Sequence, residues 1–173
     1  MAAINLLDVI DIYANIIPID LHTGSNAGGW ISMRGVGGML VIVFAGAGAA
    51  GDPLTMTLNQ GTSISGGGSK VATVITKFFH KTLTSTLVTA GSPWTVVTQA
   101  AASTWVLTGA AGNTQRIGVL DVRGEQLDVA NGFCYIKNDI AQAATSSQIG
   151  CSLYIPYNLR YIESTANKVS LLT

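Results

Sequence analysis

Charge is the scarcest ingredient of this 173-residue chain: nine Lys and Arg stand against nine Asp and Glu, 10% of the sequence, with a formal net charge of zero. A typical soluble domain carries about 25% charged residues. Like-charge repulsion keeps copies of a protein apart, so a chain with this little of it tends to self-associate. Much of its surface is therefore expected to be covered by partners. The zero balance also excludes the basic face that displaces counterions from nucleic-acid phosphates. Lys70, Lys77 and Lys81 form only a thin local excess and read as solvated surface.

Two cysteines, Cys134 and Cys151, are too few for a disulfide framework. They read as free thiols, although neighbouring strands could bring them together. The two histidines, His22 and His80, are not accompanied by the three or four convergent ligands that a metal site requires. Asp20 and His22 would share one face of an extended segment, and a locally bonded histidine explains them. The apolar stretch from Gly37 to Gly51 is too short and too rich in glycine to span a bilayer. The N-terminus has no basic segment and carries Asp8 and Asp11, so no secretory signal and no membrane association are expected.

Catalytic motifs are missing as well. Gly46-Ala47-Gly48-Ala49-Ala50-Gly51 has the G-x-G-x-x-G spacing, but Asp52-Pro53 and a strand-like segment follow it. A dinucleotide fingerprint needs a helix there, whose N-terminal amides hold the pyrophosphate. The acid expected about twenty residues further on is absent too. Gly66-Gly67-Gly68-Ser69-Lys70 lacks the phosphate-loop spacing, and no G-x-S-x-G elbow exists. Asp121 and Glu125 could do acid–base work only across a cleft. No catalytic residue, cofactor-binding residue or metal ligand is assigned, and the chain reads as a non-enzyme without cofactors.

Low charge combined with 48% hydrophobic residues is the reverse of a disordered composition, so a folded chain is expected. At this length a single domain with a real core is the default. Leu54 to Gln60 alternates apolar and polar, as a strand with one wet face should. Met39 to Phe44 is a continuous apolar run and reads as a fully buried strand. Further strands are expected at 30–34, 71–82, 94–98, 104–108 and 148–155, the last stopped by Pro156, with Ala100-Ala101-Ala102 as a helical turn or a crossing loop. Gln115 to Lys137 reads as antiparallel structure reversing at Asn131-Gly132. Roughly nine or ten short strands, no amphipathic helix and no internal repeat argue an all-β fold: a single antiparallel sandwich or jelly-roll-like barrel.

Residues 1–19 form an N-terminal arm or first strand, 20–162 the β-sandwich domain and 163–173 a polar tail with an apolar tip. Leu7, Val9, Asp11 and Tyr13 alternate with Asp8, Ile10 and Ile12, which leaves apolar groups on both sides of the segment. Such a segment needs cover from two directions. An arm against a neighbouring subunit and a central strand of the chain's own domain both satisfy that. Trp30, Trp94 and Trp105 could form a sugar-stacking platform, although core or interface packing is their commoner use.

Three blocks, in order, carry a family resemblance: GGWISMRGVGGMLVIVFAGAGAAGDPLTMTLNQG, EQLDVANGFCYIKNDI and QIGCSLYIPYNLRY. They resemble the small virion structural proteins of tailed bacteriophages, over about residues 18–162. The matching residues are structural: Gly51-Asp52-Pro53, Leu127-Asp128-Val129, Gly132-Phe133 and Arg160-Tyr161. The resemblance implies a capsid decoration, or cement, protein made in the bacterial cytoplasm and carried on the virion. It also implies the major capsid protein as partner and a homo-oligomer, commonly a homotrimer. The residues expected at interfaces are Ile4, Leu7, Ile10 and Ile12 of the arm, together with Trp94. Removal of residues 1–15 is then expected to weaken assembly without unfolding the β domain. A tail or head–tail connector protein and a carbohydrate-binding module are the rival readings.

Overall fold

The structure is a computed structural model that describes residues 10–49, 52–83, 93–108, 115–143 and 146–159. Its strands are β1 (Tyr13–Asp20), β2 (Ile31–Ser32), β3 (Val36–Ala45), β4 (Leu54–Gly61), β5 (Lys70–Val71), β6 (Ile75–Leu83), β7 (Thr95–Ala102), β8 (Thr104–Leu107), β9 (Gln115–Arg123), β10 (Tyr135–Ile140) and β11 (Ile149–Leu159). One sheet has six strands in the order β1-β11-β3-β9-β6-β7. The second runs β2-β10-β4-β5, with β8 also pairing β4. All the pairings are antiparallel, and the fold is the expected all-β sandwich.

The two sheets meet through one apolar core. Met39, Val41 and Val43 of β3, Phe78 of β6, Leu120 and Val122 of β9 and Tyr154 of β11 come from the first sheet. Leu54, Met56 and Leu58 of β4, Trp105 and Leu107 of β8 and Ile136 and Ile140 of β10 come from the second. The rings of Phe78 and Trp105 meet edge to face across the sandwich, with centroids 5.6 Å apart. At Gly118 of β9 a Cβ would lie 2.7 Å from both Trp105 and Leu107, so the indole occupies the space that a side chain there would need. Arg116, 2% exposed, donates through Nη1 to the carbonyls of Asp52 (2.7 Å) and Leu107 (2.9 Å). It ties β9 to the loop before β4 and to the end of β8.

Several elements differ from the sequence reading. Residues 1–19 read as an arm or as a first, central strand; Tyr13–Asp20 is a strand paired with β11, but it stands at the edge of its sheet and not at the centre. The segment at 30–34 forms a strand only at Ile31–Ser32. The long strand at 71–82 is interrupted: Lys70–Val71 pairs β4, Ala72 turns inward, and β6 starts at Ile75 in the other sheet. Ala100-Ala101-Ala102 is neither helical turn nor loop but the end of β7. Asn131-Gly132 does not close a hairpin. Two short 3-10 helices, Gly124–Gln126 and Val129–Asn131, carry the chain from β9 in one sheet to β10 in the other. Gly132 takes φ 80° to end the second of them, a left-handed conformation that glycine adopts without steric cost. Pro156 does not stop β11, which runs on to Leu159. Pairing with β1 ends at Tyr154, so among the described residues β11 has a neighbour on one side only at Pro156, a position at which a missing N–H is tolerated.

Candidate interaction surface

The run Met39–Phe44 is not buried on both faces. Met39, Val41 and Val43 enter the core, whereas Leu40 and Ile42 are half-buried on the outer face and Phe44 is exposed there. A strand has a period of two, so its second apolar set must point away from the core. The same holds along β11, where Cys151, Leu153, Ile155 and Tyr157 point outward between the buried Ser152, Tyr154 and Pro156.

Register aligns these outward sets. Ala14, Leu153, Ile42, Val119, Phe79 and Val96 stand side by side across all six strands, one from each. The next row holds Cys151, Phe44, Ile117 and Lys81. On the other side lie Ile155, Leu40 and Asp121. Directly opposed side chains in antiparallel strands sit about 5 Å apart, so the apolar row is continuous. Beside the row at β9 and β6, Phe79 and Val119 line, with Trp94, a shallow hollow of about 280 Å³. Trp94 is 48% exposed and Val96 53%.

The few charges on this face are held at its margins. The Tyr157 hydroxyl donates to Asp121 at 2.6 Å. Burial, and then that carboxylate, push the phenol's pKa above its ordinary value. The ammonium of Lys81 sits 5.8 Å from the centre of the Trp94 ring, and that of Lys77 5.4 Å from the Phe79 ring. Both cations therefore lie against aromatic faces.

The outer face of the second sheet is of opposite character. Thr57 faces Asp139 and Asn59 faces Lys137 across β4 and β10. Asn59 donates to Asp139 at 2.9 Å, and Lys137 pairs with the same carboxylate at 3.0 Å. One face of the sandwich is thus an ordinary wet surface, and the other is a broad apolar one.

Of the residues expected at interfaces, Trp94 lies at the margin of the apolar face, Ile12 is 51% exposed just before β1, and Ile10 is half-buried. Ile4 and Leu7 lie outside the described residues. Leu40, Ile42, Val119, Phe79 and Leu153 were missed. Their signal was present: a strand run apolar at both parities exposes one set unless a further layer covers it.

The polar candidates are accounted for locally. Asp20 accepts from the His22 amide (3.0 Å), the Ser147 hydroxyl (2.7 Å) and the Gln148 amide (2.9 Å), and these bonds hold its carboxyl below the usual range. His22 Nδ1 lies 2.7 Å from the Ala143 carbonyl. His80 faces inward near Arg116, and burial, then that guanidinium, lowers its pKa. Cys134 and Cys151 are free thiols. Trp30, Trp94 and Trp105 do not share a surface. Trp105 is fully buried, and Trp30 packs against Gly61 and Gly66 with Lys137 over its ring. Among the described residues no three of His, Cys, Asp and Glu converge as metal ligands would. No helix there is long and apolar enough to cross a membrane.

No protein-family model matches this sequence, and no curated protein matches it either.

Proposed function

We propose that this chain is a structural virion protein that binds the outside of a tailed-phage capsid and stabilises it by bridging neighbouring capsid subunits. The observation that carries this reading is the apolar row from Ala14 to Val96 across the six-stranded sheet, set against the polar face of the other sheet. Contiguous apolar patches on protein surfaces mark sites of association. The family resemblance and the low charge content, with a net charge of zero, support the capsid as the surface met. The mechanism is binding alone: each copy bound to the assembled head, and not to free subunits, shifts the equilibrium toward the head by mass action. The chain acts as a homo-oligomer, without cofactor and without catalysis.

The test is the copy number of the chain per purified virion, measured by quantitative mass spectrometry against the major capsid protein. A ratio near one-to-one, or a simple fraction such as one-third, supports a decoration shell. A few to a dozen copies would place the chain in the tail or connector instead. Absence from particles would overturn both.

A further inference from the structure

The two edges of the six-stranded sheet are built differently. β1 carries Pro18, two register shifts against β11 and the carboxylate of Asp20. Proline, bulges and charges are the devices by which edge strands avoid pairing with a further strand. β7 begins without any of them. Thr95 to Thr98 pair with β6 in unbroken register, and the register shift comes only beyond Thr98, where Gln99 folds in to donate to the carbonyls of Ile75 (3.2 Å) and Thr104 (2.8 Å). From Trp94 to Ser103 the chain has no charge, proline or glycine. Among the described residues nothing pairs with the free side of β7, and Trp94, Thr95, Val96 and Thr98 are exposed.

We infer that this free edge pairs with the β7 edge of a second copy, antiparallel and about a two-fold axis at Val96. Side chains alternate between the two faces of a strand, so matching faces requires the axis to pass through a residue rather than between two. An axis at Val96 sets Val96 against Val96 and Trp94 against Thr98 of the other copy, all on the outer face. The two exposed apolar groups at the end of the row are then covered, and the row continues into the second copy. Net charge zero leaves no long-range repulsion between copies to oppose the contact. An isologous contact closes at two copies. The edge therefore makes a dimer, and the trimer implied by the family resemblance would need another surface. This inference does not depend on the capsid reading, because it concerns the chain alone.

The purified full-length chain tests it. Sedimentation should give twice the monomer mass of 17.9 kDa. Val96→Lys and Val96→Glu should each sediment as monomers with an unchanged circular dichroism spectrum, because the axis sets like charges face to face. Mixed in equal amounts, the two variants should recover the dimer mass. Val96→Cys should form an intermolecular disulfide on oxidation, since directly opposed residues lie about 4.5–5.5 Å apart between Cα atoms, within disulfide range. Thr73→Cys, exposed but away from this edge, should not. A monomeric or trimeric wild type would overturn the inference. So would a dimer that survives Val96→Lys, or one in which Val96→Cys fails to cross-link.

Discussion

Tyr157 reaches over Gly38 to donate its 2.6 Å hydrogen bond to Asp121, spanning β3 from β11 to β9. The crossing requires glycine at position 38, because a Cβ there would run into the Tyr157 ring. Tyr157→Phe removes the donor to a carboxylate and should cost about 1.5–3 kcal/mol, the usual range for a hydrogen bond to a charged group, reduced where water replaces it. Gly38→Ala should displace the ring and lose the same bond. The double variant should then cost less than the sum of the two, which urea unfolding of all four proteins would measure. The raised pKa adds a pH dependence: the unfolded chain loses this proton near pH 10 and the folded chain higher. Stability should therefore be intact below pH 10 and fall above it, less so in Tyr157→Phe.

Inside the sandwich, the Trp105 indole donates to the Asn138 side-chain oxygen at 3.1 Å, both groups being buried. The Asn138 main-chain amide donates to the Tyr154 hydroxyl at 2.8 Å, and that hydroxyl donates to the Gly29 carbonyl at 3.2 Å. Asn138→Leu should leave the indole N–H buried and unpaired, at about 1–3 kcal/mol. Adding Trp105→Phe removes the orphaned donor, so the double variant should be less destabilised than additivity demands. A double-mutant cycle by chemical denaturation reads the coupling, and additive effects would show that the bond contributes nothing.

His80 is the residue by which mild acid should act on the fold. Its Nδ1 is buried without a hydrogen-bond partner among the described residues, and burial together with Arg116 disfavours the imidazolium. The unfolded chain takes up a proton here near pH 6.5, while the folded chain does so only at lower pH. In that window the unfolded state binds more protons, so stability present above about pH 6.5 is lost as pH falls. Thermal unfolding at pH 7.5 and pH 5 should show a decrease in Tm for the wild type and a smaller one for His80→Gln.

Removal of residues 1–15 should lower stability, contrary to the reading of that segment as a separable arm. Asn15 lies within β1 and donates to the Asn138 carbonyl (2.9 Å) and the Ser152 hydroxyl (3.1 Å), while accepting from the Gly29 amide (2.8 Å). Net values of about 1 kcal/mol per bond suggest a loss of 2–3 kcal/mol. For a chain of this size that lowers Tm by about 4–12 °C. Removal of residues 1–9 touches none of these bonds, and calorimetry of the two truncations should separate them.

The strands legible in the sequence were those whose alternation had one wet face. Leu54 to Gln60 is the clearest, and it forms β4 with the expected residues inward. Strands apolar on both faces were recognised as strands but placed wrongly, because Met39–Phe44 reads the same whether its outer set meets a second layer or stands on an open face. Partner choice was not legible at Asn131-Gly132 either. The dipeptide marks a reversal, yet Gly132 ends a 3-10 turn that carries the chain between sheets, a fact fixed by pairings with distant β3 and β4. The apolar surface has the same origin: Leu153, Ile42, Val119 and Phe79 are far apart in sequence, and only register brings them into a row.

Ile42 stands near the middle of that row, between Leu153 and Val119, half-buried and on the outer face. A lysine there keeps its stem over the neighbouring apolar groups while its ammonium reaches water, so the isolated chain should lose little stability. A partner seated on the face would instead have to desolvate that charge. If the face is what meets the capsid, Ile42→Lys should weaken binding to purified heads by about tenfold or more, the scale of a central contact residue in an interface. Thr57→Lys, at the matching depth of the polar face, should bind as the wild type does. Co-sedimentation with heads lacking the chain measures both. Equal binding by wild type and Ile42→Lys would remove this face from the contact, and loss with Thr57→Lys alone would move the contact to the other sheet.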